Sequence, residues 1–471
     1  MSRPVTPPQL AAVISLATTV SCAYSLLYLS PPLLLSACLL LPLVLISTLA
    51  LVLSLLTSRI QHAPRILCAP TAANRELLAA CPSLTLCSPS PWLPGPFLTT
   101  LAGARLRHHP RLPPAAHRVL LPVSHGGTVA LDWLLGPPHP GQPVLVICHG
   151  LTGGSQEGYV QHAALAAARV AGVAPLVFNA RGCGGSALTS PRTFCAAEAG
   201  DLSAATAYAR QVVGPDALLF HAGFSLGAGI LAKWVGETGS ACDSAGAVVV
   251  AASWDFALSE RAMDAAPGGC TPACWRPRFS PIIAGALRRY WRRHAAVLMA
   301  GGVIHADAAA CARTAREFDA AVICPQFGYS SPDHYYAEAS AGRLLHAVRV
   351  PMLVLNAADD PICAVGGLLD KAREVQRNAA VCAVITPSGG HLGWAVGAAM
   401  PTHDAWHDAA LAEFLAHRIS VEREQGSRGM AWDLFDSTYA ATGAPLPIDR
   451  GGASLTPEQA VASALGRIGR I

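Results

Sequence analysis

Apolar and polar residues divide the chain into two regions with different patterns. Apolar residues dominate positions 10–29 and 33–56, and no Lys, Arg, Asp or Glu stands between Arg3 and Arg59. After about residue 115, short apolar or β-branched runs alternate with Ala-rich stretches of helical pattern. That alternation predicts βαβ units and an α/β fold built on a mostly parallel sheet with flanking helices.

The apolar runs of the second region predict eight strands. Only the segment SHGGT separates the first two runs, so the sheet is expected to begin with an antiparallel pair. The gap between the sixth and seventh runs is long enough for a helical cap at about residues 252–345. The predicted strands are Arg118 to Val123, Val129 to Leu135, Val144 to Cys148, Ala174 to Phe178, Ala217 to His221, Gly246 to Ala251, Met352 to Asn356 and Val381 to Thr386.

The N-terminal stretches predict a membrane segment, because each is close to the roughly 20 apolar residues that span a bilayer. The Ser-Pro-Pro sequence at residues 30–32 predicts a turn between the two apolar stretches. This turn favours a helical hairpin over one anchor preceded by an interfacial segment. Arg3 and Arg59 flank the two ends, and the positive-inside bias then places both flanks and the catalytic domain in the cytosol. A cleaved signal peptide has a shorter apolar region of about 7 to 15 residues. The first acidic residue is Glu76, so an organelle transit sequence stays open, and the organelle is unassigned.

Composition narrows the classes of partner. The chain has 471 residues, of which 52% are hydrophobic and 13% charged, and so apolar a chain is not disordered in bulk. Its net charge is +4, with no long basic and aromatic block, so a nucleic acid is not an expected partner.

The 15 cysteines are scattered and odd in number, which indicates free thiols. Cys270 and Cys274 lack a second ligand pair, so we expect them to pack and expect no metal.

The string GFSLG, residues 223–227, follows an apolar run and precedes a helical pattern. The order of strand, sharp turn and helix exposes a serine hydroxyl at the edge of a sheet, and small flanking glycines let the turn close. Ser225 is therefore the candidate nucleophile. The motif alone is a weak signal, because a serine also caps helices, and its position between strand and helix is what strengthens it.

The string HGLTGGS, residues 149–155, follows directly after a predicted strand. Attack on an ester carbonyl places negative charge on its oxygen, which requires preset backbone donors. In hydrolases built this way, one donor belongs to the residue after the nucleophile and one to the loop after the third strand. We assign these oxyanion donors to Leu226 and Leu151, with Thr152 as the neighbouring alternative. The phosphate-loop pattern GxxxxGK[ST] is missing, so no nucleotide cofactor is expected.

A base and an orienting carboxylate are expected later in the chain, in the order Ser, Asp, His. AADDP and PSGGH follow the last two predicted strands, at the strand ends where sites of open α/β sheets collect. His391 is the candidate base that takes the proton of Ser225. Between the two acids we choose Asp360, because it leads directly into the DPIC turn, and keep Asp359 as the alternative.

Three further strings have structural interpretations. His403 and Asp408 form an HxxxxD spacing that is associated with acyl transfer, and we interpret them as a solvated helix face. RGCGGS, residues 181–186, is predicted to form a structural turn near the oxyanion loop. RRYWRR, residues 288–293, has two open interpretations, which are a solvated helix face and a cap surface in contact with lipid headgroups.

Taken together, these strings resemble the YheT-type lipases and esterases of the α/β-hydrolase fold. That family includes the membrane-anchored abhydrolase-domain proteins 1 and 3 and the yeast medium-chain ethyl ester synthases. The resemblance covers roughly residues 95 to 418 and matches Ser225, Asp360 and His391 to the family's triad; an N-terminal anchor is also typical. The strings that support it are HGLTGGS, NARGCGGS, GFSLGAG, TAREFDAAV, FGYSSPDHYYAEAS, LNAADDP and GGHLGW.

Two departures from the family pattern are visible. The family's HLQT motif reads PFLTT at residues 96–100, and the apolar N-terminal region is longer than a single anchor. Where a family has an HxxxxD acyltransferase device, the motif starts at the catalytic His, but Val396 stands five residues after His391. That device is therefore missing from this sequence.

We expect a membrane-anchored serine hydrolase that needs no cofactor and no metal. The resemblance implies lipid ester substrates, acylglycerols or phospholipids with short to medium acyl chains. Two alternatives stay open, namely acyl transfer to an alcohol and a noncatalytic membrane-bound scaffold, which a Ser225 blocked from solvent would favour. The expected division of the chain is a membrane anchor at 1–60, a Pro-rich linker and pre-core segment at 61–115, the hydrolase domain at 116–418 and a C-terminal tail at 419–471.

Overall fold

The computed structural model describes residues 63–87, 95–105, 117–264, 279–396 and 405–435, together with a few single residues outside these ranges. Both apolar N-terminal stretches that predict membrane helices lie essentially outside this part of the chain, as do Cys270, Cys274 and the residues after 435. No helix in the described ranges is long and apolar enough to cross a bilayer.

A nine-stranded mixed sheet organises the described residues, with the strand order β1-β9-β8-β7-β6-β4-β5-β3-β2. The strands from β5 through β4, β6, β7 and β8 to β9 run parallel. Antiparallel pairs close both edges, β2 with β3 and β3 with β5 at one side and β1 with β9 at the other. The strands are β1 (Arg65–Cys68), β2 (His117–Val123), β3 (Gly127–Trp133), β4 (Val144–Cys148), β5 (Ala174–Asn179), β6 (Leu219–Phe224), β7 (Gly246–Val250), β8 (Met352–Ala357) and β9 (Val381–Thr386).

All eight predicted strands are present, and the antiparallel start is confirmed. The largest shift is in β6, which begins two residues later than predicted and continues to Phe224, directly before Ser225. The ninth strand, β1, lies in the segment interpreted as a linker. It has only four residues, RILC, so its apolar run is shorter than those of the predicted strands, and only Leu67 is fully buried.

The central strands are buried on both faces, as expected where helices cover a parallel sheet. Along β4, Val144, Val146 and Cys148 face one apolar cluster, whereas Leu145 and Ile147 face the other. The helices that flank the sheet or support its edges are α1 (Ala72–Ala80), α2 (Pro96–Arg105), α3 (Gly158–Ala171), α4 (Gly200–Val213) and α5 (Leu226–Thr238).

A helical segment connects β7 to β8 and occupies the stretch that the sequence predicts as a cap. It brings aromatic side chains over the carboxyl ends of the parallel strands, where the candidate site lies. Its helices are α6 (Phe256–Asp264), α7 (Ser280–Met299), α8 (Ala306–Cys311), α9 (Ala315–Phe318), a π-helical turn (Asp319–Ile323), α10 (Cys324–Phe327), α11 (Pro332–Ala339) and a 3₁₀ segment (Ala341–Ala347).

The C-terminal part of the described chain ends in a long helix. Two short helices, α12 (Gly366–Leu369) and α13 (Ala372–Arg377), precede β9, and α14 (Trp406–Phe435) follows it. The helix α14 packs along α3 and continues into the region predicted as a tail. The expectation that Asp408 lies on a solvated face is wrong, because its side chain is fully buried and accepts from the Ala405 amide at 2.8 Å. His403 lies outside the described residues.

The arginine and aromatic cluster of α7 separates into two sides. Tyr290 and Trp291 are buried, and the Tyr290 hydroxyl donates to the Arg181 carbonyl oxygen at 2.9 Å. Arg292 and Arg293 are exposed. The aromatic residues therefore belong to the core, and the lipid-headgroup interpretation of the arginines stays a prediction.

Asp132 ties the antiparallel end of the sheet to the loop after β4. Its fully buried carboxylate accepts from Nε and Nη2 of Arg118, both at 2.7 Å, from the Ser155 hydroxyl at 2.6 Å and from the Asn179 side-chain amide at 2.9 Å. These donors come from β2, β5 and the HGLTGGS loop. The carboxylate thus joins three segments that are distant in sequence.

We predict that Asp132→Ala lowers the free energy of unfolding by about 3 kcal/mol, because it leaves a cation and two further donors without their acceptor. The matched control is Asp243→Ala, which breaks the Arg210–Asp243 pair, whose acid side chain is 43% exposed. An exposed pair of that kind contributes about 1 kcal/mol or less. Urea unfolding of both variants measures the difference, and equal losses would contradict the role given to Asp132.

Candidate active site

Ser225 occupies a strained turn between β6 and α5. Its backbone has φ 55° and ψ −118°, a left-handed φ that non-glycine residues rarely adopt. Its amide donates to the Val250 carbonyl oxygen at 2.9 Å, and its own carbonyl accepts from Ala228 and Gly229 in the first turn of α5. The turn is therefore held from both sides, and it presents the serine hydroxyl at the carboxyl edge of the sheet.

The structure brings the three predicted catalytic side chains into one hydrogen-bonded row. His391 Nε2 lies 2.8 Å from Ser225 Oγ, and its Nδ1 lies 2.9 Å from Asp360 Oδ2. His391 follows β9 and Asp360 follows β8, so neighbouring parallel strands deliver both groups to the same edge. This geometry allows the imidazole to take a proton from the hydroxyl while the carboxylate holds the ring.

The two adjacent acids have different positions. Asp360 Oδ1 also accepts from the amides of Ile362 and Cys363, both at 2.8 Å, and so forms the DPIC turn itself. Asp359 points to the other loop, where it accepts from the Gly390 amide at 2.8 Å. The choice of Asp360 as the partner of His391 therefore agrees with the observed contacts.

Charge at the site favours a protonated imidazole. Burial is the largest single influence and lowers the pKa of His391, but the charge and hydrogen bonds of Asp360 together with a contribution from Cys363 outweigh burial and leave that pKa above its usual value. The interactions that raise this pKa also stabilise the imidazolium that forms once the serine has given up its proton. It also means that the neutral, basic form of the ring is lost as the pH falls through the raised value.

The predicted oxyanion residues lie beside the nucleophile. Leu226 is the first residue of α5, so its amide has no acceptor within the helix. Leu151 and Leu226 both line the cavity into which Ser225 opens, whereas Thr152 does not. Thr152 instead has φ 53° and bends the loop. The placement fits Leu151 better than Thr152, and the donor roles themselves stay predictions.

Two buried side chains hold the oxyanion loop. His149 Nε2 accepts from the Ala180 amide at 3.1 Å and its Nδ1 lies 2.6 Å from the Gly150 carbonyl oxygen. Burial lowers the pKa of His149 to about 4, so the ring stays neutral and can serve both partners. The Tyr159 hydroxyl accepts from the Gly150 amide at 2.7 Å. The RGCGGS turn also contacts this loop, as predicted, through a 3.0 Å bond from the Gly184 amide to the Gly153 carbonyl.

Ser225 opens into a cavity lined mainly by apolar side chains of the cap helices. Phe256, Met263, Ile283 and Phe318 contribute to its wall, and Ser225 itself is half-buried rather than closed off. An accessible serine speaks against the noncatalytic scaffold, which a blocked nucleophile would have favoured. Two carboxyl side chains interrupt the apolar wall, and they belong to Glu260 and Asp319.

Sequence reasoning missed two residues next to the row of three. Thr100 of α2 accepts from the His391 amide at 2.9 Å, and it stands in the PFLTT string that departs from the family pattern. The Cys363 sulfur lies within 4.8 Å of ligand atoms of His391 and Asp360, and Cys363 lines the same cavity as Ser225. No local pattern in the sequence reports the contact of Thr100 with His391, and nothing in the sequence separates Cys363 from the other cysteines.

Curated proteins with related sequences are similar to most of the chain, although no family model matches it. An abhydrolase domain-containing protein of Dictyostelium discoideum is 31% identical over 305 residues, 63% of this chain and 73% of the relative. Phospholipase ABHD3 of Mus musculus is 28% identical over 383 residues, 78% of this chain and 87% of the relative. Monoacylglycerol lipase of Saccharomyces cerevisiae is 32% identical over 257 residues, 54% of this chain and 55% of the relative. The resemblance seen in the sequence is therefore confirmed.

Gly227 is the position at which the turn tolerates least additional volume. A Cβ there would lie 2.5 Å from the Cys148 carbonyl oxygen and closer still to that of His149. We predict that Gly227→Ala lowers the free energy of unfolding by about 2 kcal/mol or more, because α5 must move away from the end of β4. The control is Gly229→Ala in the same helix, whose Cβ meets only the Phe256 ring at 3.7 Å. Gly229→Ala should be neutral or stabilising by up to about 1 kcal/mol, and equal losses in denaturant unfolding would contradict the argument.

Proposed function

The chain belongs to the abhydrolase-domain family of carboxylic ester hydrolases, and on that premise we propose that it cleaves lipid esters through Ser225, His391 and Asp360. The observation that supports these roles most directly is the hydrogen-bonded row at the mouth of an apolar cavity. The proposed substrates are acylglycerols or phospholipids with short to medium acyl chains.

Acylation begins with the serine hydroxyl. A neutral His391 takes the proton through Nε2 while Ser225 Oγ forms a bond to the ester carbonyl carbon. Asp360 keeps the Nδ1 proton of the ring directed away from the serine and stabilises the charge that the ring acquires. The imidazolium then gives its proton to the departing alcohol or lysolipid, which leaves an acyl group on Ser225.

The negative charge on the carbonyl oxygen is placed where backbone donors are available. We assign its stabilisation to the amides of Leu151 and Leu226, which flank the serine in the cavity wall. Water then enters, gives its proton to His391 and attacks the acyl group. The serine is released when the ring returns that proton to Oγ, so hydrolysis needs no further reactant.

The apolar cavity suits the acyl part of a lipid ester. Its aromatic and aliphatic wall comes from the cap helices, so an acyl chain leaves water when it binds. The relatives named phospholipase and monoacylglycerol lipase fit a substrate of this class. Chain length then depends on the depth of the cavity between the cap and the sheet.

We also propose that residues 1–60 anchor the enzyme in a membrane, as a helical hairpin with both flanks on the cytosolic side. The support is the uncharged apolar sequence between Arg3 and Arg59. An anchor of this kind keeps the cavity beside a supply of poorly soluble substrate. Residues 116–418 form the proposed hydrolase domain.

The catalytic roles can be tested by labelling the full chain with a fluorophosphonate probe. We expect the native protein to be labelled at Ser225 and Ser225→Ala not to be labelled. In His391→Ala the labelling rate should fall by on the order of a thousandfold or more, because the serine then lacks its base. Hydrolysis of a medium-chain monoacylglycerol should fall in parallel. Absence of labelling in a folded native protein would overturn the proposal.

The adjacent acids provide a matched pair for the same assay. Asp360→Asn removes the charge that orients and stabilises His391 and should cost on the order of 10⁴-fold in the labelling rate. Asp359→Asn removes a carboxylate from the same dipeptide that contacts only the loop of Gly390, so its effect should be much smaller. A larger loss for Asp359→Asn would reassign the acid.

The topology can be tested with the full chain carrying one tag at each end. A hairpin places both tags on the same side of the membrane, so both should be digested or protected together when sealed vesicles are treated with protease. Digestion of both tags after addition of detergent controls for their accessibility. Tags on opposite sides would contradict the hairpin.

A further inference from the structure

We propose that Asp360, Cys363 and His391 form a binding site for a soft divalent cation such as Zn²⁺, and that the bound ion switches the hydrolase off. The binding itself follows from the arrangement of three ligand-bearing side chains. The inhibition rests on the proposed function, because two of these residues belong to the proposed triad.

The three side chains have the chemistry and the spacing of zinc ligands. One carboxylate oxygen, one thiol sulfur and one imidazole nitrogen lie within 4.8 Å of one another. Zinc bonds of about 2.0 to 2.3 Å place neighbouring tetrahedral ligands roughly 3.5 Å apart, so no two of these groups need to approach by more than about 1.3 Å. Asp360 Oδ2 and His391 Nδ1 are 2.9 Å apart and must separate by about 0.5 Å to hold an ion between them, whereas Cys363 is the group that moves inward.

The charges of the site balance those of a divalent ion. Asp360 supplies one negative charge, and Cys363 supplies a second when its thiol loses a proton to solvent on binding the metal. The ion also displaces to solvent any proton on the ring nitrogen that it binds, so with a neutral His391 the occupied site carries no net charge, which limits the cost of burying the ion. Without a cation, burial raises the pKa of the Cys363 thiol, so the metal must supply the drive for its deprotonation.

The site is reachable from the substrate cavity. Cys363 is almost fully buried from solvent, yet it lines the same cavity wall as Ser225. Glu260 also lines this cavity, and its negative charge favours the entry of a cation over an anion, whereas burial raises the pKa of the neighbouring Asp319 to about 7. No other group of three close metal-ligating side chains occurs in the part of the chain that the structure describes.

Occupation would disable His391 in either orientation of binding. An ion on Nδ1 replaces the proton that the ring shares with Asp360, and an ion on Nε2 removes the acceptor of the Ser225 proton. The ring loses its role as a base in both cases. Inhibition by the metal should therefore be complete at saturation and reversed by a chelator.

A second pair of thiols defines the necessary control. Cys68 and Cys382 face each other across β1 and β9, and their side chains interact directly. They offer a soft cation an alternative site outside the Asp360, Cys363 and His391 group. Cys382→Ser removes one sulfur from this pair and leaves the Asp360, Cys363 and His391 group unchanged.

The experiment compares the native full chain with Cys363→Ser, Cys363→Ala and Cys382→Ser. Fluorophosphonate labelling is measured against increasing Zn²⁺ and again after EDTA, with each protein's metal-free rate as its own reference. Cd²⁺ titration, followed by the ultraviolet absorption of its thiolate bond, measures binding without catalysis. If a variant fails to fold, binding is measured on the native chain alone. Mass spectrometry then shows whether Zn²⁺ protects Cys363 from an alkylating reagent.

We expect Zn²⁺ to suppress labelling of the native chain and of Cys382→Ser at the same concentration. Both Cys363 variants should need a concentration higher by on the order of tenfold or more, since a direct ligand is lost. They should also lose the Cd²⁺ absorption of one thiolate. Equal sensitivity of all four proteins, or no Zn²⁺ protection of Cys363, would overturn the site. A native chain that binds Cd²⁺ through Cys363 but is never labelled would instead overturn the proposed function.

Discussion

The close contact between α5 and the end of β4 is the constraint on which the candidate site depends. The helix begins directly after Ser225, and Gly227 lies against the carbonyl groups of Cys148 and His149, where a side chain has no room. That contact allows the serine turn and the oxyanion loop to share one edge of the sheet. The strained φ of Ser225 is then maintained by the packing of two core elements rather than by the turn itself.

Most of the fold could be predicted from the sequence because its central strands are continuous apolar runs. Such runs identify buried parallel strands whatever lies around them, and β4, β8 and β9 were placed to within a residue. The edge strand β1 was missed because its apolar run of three residues is short and lies in a Pro-rich segment. The burial of Asp408 could not be predicted from the sequence either, because a charged residue usually indicates an exposed position. Here the carboxylate is buried and accepts from a backbone amide, that of Ala405.

The candidate site was predictable where chemistry follows strand ends and unpredictable where it depends on contacts across the chain. Ser225, Asp360 and His391 each come shortly after an apolar run, so local sequence sufficed to propose them. Thr100 reaches His391 from a helix almost 300 positions earlier, and no local pattern reports that contact. The same holds for Cys363, whose importance comes entirely from where the DPIC turn places it.

Asp360 links the catalytic row to the wall of the substrate cavity. Both of its oxygens lie near His391 Nδ1, and Oδ1 also accepts from the amides of Ile362 and Cys363, which line the cavity. Any movement of this carboxylate therefore moves the cavity wall with it. A cation bound at Asp360 would act on both at once, because it would draw Cys363 inward and remove the acceptor that orients the imidazole. The same Asp360 side chain thus orients the base and holds part of the cavity wall.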